Sequence, residues 1–122
     1  MLSKIRLELA RTPDHPEGAR DIGYEFTAPL DENGHIDAKV WSGMRNRCRV
    51  RRFRPKEEDD IGHLVHKPGG SWAFHYDIRS DEEGDESGYR FNNHAFRQGE
   101  YVSIKEEDEL RTFHVVRIEP VP

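Results

Sequence analysis

Between Arg45 and Lys56 the chain reads RNRCRVRRFRPK, with seven cations in twelve residues. Guanidinium groups at this density can grip carboxylates or phosphates in two-point contact. If Cys48 to Phe53 is a strand with Cys48 and Val50 on the core side, Arg49 and Arg51 project together from the other face, about 7 Å apart. Arg45, Arg47, Arg52 and Arg54 then extend the patch around the strand ends, and Phe53 and Trp41 offer faces on which bases could stack. Outside this run, 12 positive residues stand against 24 negative ones, in a chain of formal net charge -5. Such segregation points to a surface that contacts an acidic protein partner, with nucleic acid as the alternative. The competing structural reading is that Glu57, Glu58, Asp59, Asp60 and the later acidic loops neutralise the arginines within the domain.

Seven histidines make metal chemistry the second candidate. His63, His66 and His75 lie on one expected hairpin, and zinc takes three or four such ligands. His63 and His66 are three apart on a strand and so face opposite ways; His63 meets His75 only if the turn has three residues. With Cys48, these two are the residues a small zinc protein or enzyme would use. Exposed between Arg47 and Arg49, the thiol would favour its thiolate, but the alternation turns it to the core. There is no G-x-S-x-G elbow, phosphate-cradling glycine loop or H-E-x-x-H pair, so no cofactor or catalytic residue is assigned. The segment PLDENGHIDAKV imitates the middle of a calcium loop, but Pro29 and Val40 fall where the two essential carboxylates belong.

Short elements must position these side chains, and 122 residues fit one domain, 1–122. Ile5, Leu7 and Leu9 alternate with charged residues as in a strand, and the proline-rich Thr12 to Gly18 ends it. A second strand runs from Gly23 to Leu30, then Asn33-Gly34 turns the chain. Asp37 caps a short helix with Val40, Trp41 and Met44 on its apolar side, ending near Asn46 and weakened by Gly43. GHLVH and SWAFHY form a hairpin around Lys67-Pro68-Gly69-Gly70. A two-residue turn pairs Val65 with Phe74, and a three-residue turn pairs Leu64 with Phe74.

Ser80 to Ser87 has no apolar residue and reads as a solvated, mobile loop. Tyr89-Arg90-Phe91 is a strand, and EYVSIK with LRTFHVVRIEP makes a second hairpin. There Phe113 and Val115 share one face while Val116 and Ile118 share the other, the mark of a bulge. Together these elements predict a mainly β, β-rich α+β domain. Its form is a small half-open barrel or two-layer antiparallel sheet of about six or seven short strands with one short helix.

Charges at Lys4, Arg6 and Glu8 interrupt any secretion signal, and no run approaches the roughly 18 apolar residues of a membrane helix. A single cysteine fits a reducing compartment, so a cytoplasmic chain with no membrane partner is expected. The runs IRLELARTPDHPEG, GYEFTAPLD and FRQGEYVSI resemble those of small single-domain bacterial proteins of unassigned function. That resemblance implies no activity, ligand or site residue. The functional expectation therefore rests on the arginines: a small non-enzymatic binding module.

Overall fold

Alternation along the first strand sets the architecture. In β1 (Leu2–Leu9), Ile5, Leu7 and Leu9 are buried, while Arg6 and Glu8 between them reach solvent. This period of two puts one face of each strand on a shared core. The chain continues with β2 (Ala19–Pro29), β3 (Arg49–Phe53), β4 (Asp60–His66) and β5 (Trp72–Tyr76). After these come β6 (Glu86–Tyr89), β7 (Tyr101–Glu106) and β8 (Glu109–Pro120). The computed structural model describes residues 1–77, 86–89, 91–106 and 109–122.

Each strand pairs antiparallel with the next, and β8 returns to pair with β1, so the sheet closes into an eight-stranded barrel. The β-rich class and the single α-helix agree with the sequence. Closure and the strand count differ from the half-open form of about six or seven strands, because pairing between the two ends of the chain leaves no local pattern. Tyr24, Phe26, Trp72, Phe74, Phe91, Phe96 and Phe113 are almost wholly buried and fill the interior. A barrel of eight strands is about wide enough to be filled by its own side chains.

The phase change in β8 is a bulge. Arg6 pairs with Arg117 but Leu7 pairs with Val115, leaving Val116 as the extra residue. At the β4–β5 hairpin, Leu64 pairs with Phe74 and His63 with His75, the register of the three-residue turn. Lys67 and Ser71 close that turn through a 2.8 Å backbone bond. Gly69 and Gly70 sit at φ of 94° and 93°, a region that side chains with a Cβ rarely enter.

One end of the barrel carries the connections from β2 to β3, from β4 to β5 and from β6 to β7. There the helix α1 (Ala38–Ser42) begins at Asp37, whose Oδ1 accepts the amides of Lys39 and Val40, each at 3.1 Å. It stops at Gly43, short of Asn46, and a 3-10 turn over Arg45–Arg47 follows. Of its expected apolar side, Trp41 is buried and Met44 is half-buried, but Val40 remains 43% exposed. Phe91 lies flat on Gly88, where an added Cβ would come within 2.4 Å of the ring. Trp41 meets Trp72 edge-on at 5.3 Å, so aromatic rings plug this end.

The other end holds the β1–β2 and β3–β4 loops. Glu86 and Ser87, read from sequence as solvated loop, open β6 instead, and Glu86 is buried. Residues 80–85 of that loop and position 90 of the strand expected next to it lie outside the described residues. Phe91 belongs to a 3-10 turn over Phe91–Asn93. Among the described residues, no helix is long and apolar enough to cross a membrane.

Candidate functional site

β3 sorts the arginines. Cys48, Val50 and Arg52 are buried toward the barrel interior, while Arg49, Arg51 and Phe53 lie on the outer face. On that face Arg49 lies 3.2 Å from Asp77 and 3.2 Å from His63 Nε2. Arg51 donates to Glu25 and lies 2.9 Å from Asp59. Phe53 is shielded by Arg6, 4.4 Å above its ring, and by Arg51 at 5.0 Å. It is therefore not an open stacking surface.

Glu25 anchors this outer network. Only 9% exposed, it also meets Arg117 at 3.3 Å and Arg6 at 3.6 Å. Burial pushes its pKa up, but the Arg51 hydrogen bond and the charges of Arg51, Lys4 and Arg6 outweigh that and hold the carboxyl below its ordinary value. Glu8, Asp59 and Glu119 pair with the same arginines from the rim. The strand arginines are thus largely matched by carboxylates of this same domain.

Arg52 is 7% exposed and enters a buried polar cluster at the barrel end away from α1. One of its nitrogens is 3.2 Å from Glu86 and 3.6 Å from Asp60, and another is 3.6 Å from Glu106. Arg54 and Arg111 reach the same Glu106 oxygen at 3.2 and 3.3 Å. Tyr76 donates to Glu86 at 2.5 Å, and the Tyr24 hydroxyl contacts Glu86 at 3.0 Å and Glu106 more closely. Burial, with the charge of Glu106 adding to it, raises the Glu86 pKa against the pull of Tyr76 and Arg52. Tyr24 is raised well above the usual phenol value, first by burial and then by the Glu86 charge.

Arg45 and Arg47 differ from both sets. Arg45 lies over the Trp41 ring at 4.7 Å, and Arg47 bonds the backbone oxygen of Pro122 at 3.0 Å. Neither has a side-chain carboxylate partner among the described residues. Arg45 flanks a groove of about 390 Å³ between the α1 end and β4, lined also by Trp41, Asn46, His63, Val65 and His66. Trp41 is buried against the β4 backbone, its indole N–H donating to Leu64 O at 3.1 Å.

His63 and His75 face each other across β4 and β5. Both His63 nitrogens are engaged, Nδ1 with Asp77 at 3.1 Å and Nε2 with Arg49. Cys48 is wholly buried on the inner side and does not join them, and burial pushes its thiol up to about 11. Among the described residues no three potential ligands gather around one point.

The sequence reading missed Tyr24, Tyr76, Glu86 and Glu106 as a group. One signal was available, since Arg52 shares the period of Cys48 and Val50 and Glu106 that of Val102 and Ile104. Comparison of the chain with protein-family models, with curated proteins and with solved structures finds no match.

Proposed function

We propose that the chain is a small binding module that contacts an acidic surface on another protein, through the Arg45–Arg47 turn and the groove beside it. The observation that carries this reading is the division of the arginine run. Arg49, Arg51, Arg52 and Arg54 each meet a side-chain carboxylate of the domain, whereas Arg45 and Arg47 meet no side-chain carboxylate among the described residues. A guanidinium already held by a buried carboxylate adds little attraction for a partner, and one over an aromatic face keeps its charge available. A polyanion such as nucleic acid would meet the net charge of -5 at long range, which favours a short acidic protein segment.

The test is an amide-resolved NMR titration with a poly-glutamate peptide and, separately, a single-stranded oligonucleotide, at about 50 mM and about 200 mM salt. The peptide should shift Arg45, Asn46 and Arg47, more weakly at the higher salt, and the double variant R45S/R47S should lose the response. Preferential shifts with the oligonucleotide, or none with the peptide at either salt, would overturn the reading.

A further inference from the structure

The barrel is closed, yet one strand outlasts its neighbour. Asp77 donates its backbone N–H to Ile61 O at 3.0 Å, and Lys67 donates to Ser71 O at 2.8 Å, so the odd residues of β4 direct their backbone groups toward β5. The even residues direct theirs toward β3. That ladder ends where Arg49 faces His63. Just beyond it, Leu64 N–H is taken by Cys48 O at 2.8 Å and Leu64 O by the Trp41 indole. The next groups on the same edge are the N–H and C=O of His66. No strand lies beside them, and among the described residues neither has a hydrogen-bond partner; both are aimed into the groove flanked by Arg45.

We infer that this edge takes an extended acidic peptide, which continues the line of β3 and bridges to His66 through its own main chain. The inference rests on the proposed function above and adds how the acidic partner is held. An unpaired strand edge is a template for a further strand, with main-chain bonds giving affinity and alternate side chains giving specificity. Residues opposite one another in a sheet point to the same face, and His66 shares the phase of the inward residues Leu64 and Gly62. Its ring stacks on Trp72 at 4.1 Å. The bridging residue of the peptide therefore turns toward the Trp41, His66 and Trp72 rings, which favours an apolar side chain. Its two neighbours turn outward, to the side of His63 and Arg49, with Arg45 at the groove wall. Asp77 is the only carboxylate paired with these cations among the described residues, so acidic neighbours fit. The recognised unit is an acidic, apolar, acidic tripeptide in extended form.

The test uses the full chain and two heptapeptides with one central valine among glutamates, identical except that one is N-methylated at that valine. The unmodified peptide should shift the amides of His66, Leu64 and Asn46 and slow hydrogen exchange at His66. Removing one hydrogen-bond donor by N-methylation should weaken binding about fivefold. His66→Pro, which deletes the protein's own donor, should weaken the unmodified peptide to a similar degree, and R45E should weaken both peptides. Equal binding of the two peptides would overturn the edge pairing while leaving the acidic-partner reading intact. Silence toward both peptides, with poly-glutamate also silent, would remove both. A concentration-dependent dimer that protects the His66 amide without peptide would show that a second copy is the occupant, and would likewise overturn the inference.

Discussion

Arg51 and Arg52 are neighbours in the chain and face opposite sides of one strand. Arg51 lies on the outside, its side chain 37% exposed, in a network whose rim is open to solvent. Arg52 lies inside, where Glu86, Glu106 and the two tyrosines leave water little access. The two central carboxylates respond in opposite directions: Glu25 is held below its ordinary value by surrounding cations, and Glu86 is raised, mainly by burial. The same charge on the same strand is thus a replaceable surface contact on one face and part of a desolvated network on the other.

The largest break in this comparison should come from R52M. It leaves Glu86 and Glu106 buried with one guanidinium fewer, and breaking a buried pair on one side costs about 3–5 kcal/mol. Urea unfolding followed by tryptophan fluorescence measures it, and a loss under about 1 kcal/mol would mean that the interior is wetter than its burial implies.

A pH comparison sharpens the contrast at smaller scale. Because the folded pKa of Glu86 is raised, the stability it contributes is complete below the ordinary glutamate value of 4.5 and is lost as pH rises through the folded value. Glu25 is lowered, so its contribution is present above that ordinary value and is lost as pH falls through the folded one. E86Q, which mimics the protonated acid, should flatten the decline above pH 4.5, and E25Q should flatten the acid side. Each pKa unit corresponds to about 1.4 kcal/mol. Identical pH profiles for E86Q and the parent would show that Glu86 does not govern that decline.

The smallest effect should be that of R49S. Its pair with Asp77 joins side chains 49% and 42% exposed, and such pairs contribute about 0–1 kcal/mol, less in salt. A loss larger than about 1 kcal/mol that persists in high salt would place Arg49 in the structural network rather than on its rim.

Much of this was legible locally. The alternation in β1, the Asp37 cap, the three-residue turn as one of two registers, and the β8 bulge all follow from neighbours within a few residues. The interior cluster was not, for a physical reason. Glu86 closes the acidic run SDEEGDES, where no apolar residue marks a phase, and its burial depends on Arg52, Tyr24 and Tyr76 arriving from three other strands. Arg52 itself was readable from phase, but its charge argued for the surface. The groove edge was equally hidden, since it arises from the unequal lengths of β3 and β4.

Seven of the eight ladders join strands that follow one another along the chain, and only β1 with β8 joins its two ends. Val121 donates to Leu2 O at 2.8 Å, so those ends finish side by side. The barrel is therefore a ring that the polypeptide happens to cut at one seam, and no strand in it is intrinsically first. The Pro68-Gly69-Gly70 turn, whose two glycines contact nothing within 4 Å of an added Cβ, is a second place where the ring could be cut with the β1–β8 seam sealed. Such a chain would start at β5 and finish at β4, with all eight ladders still available to it.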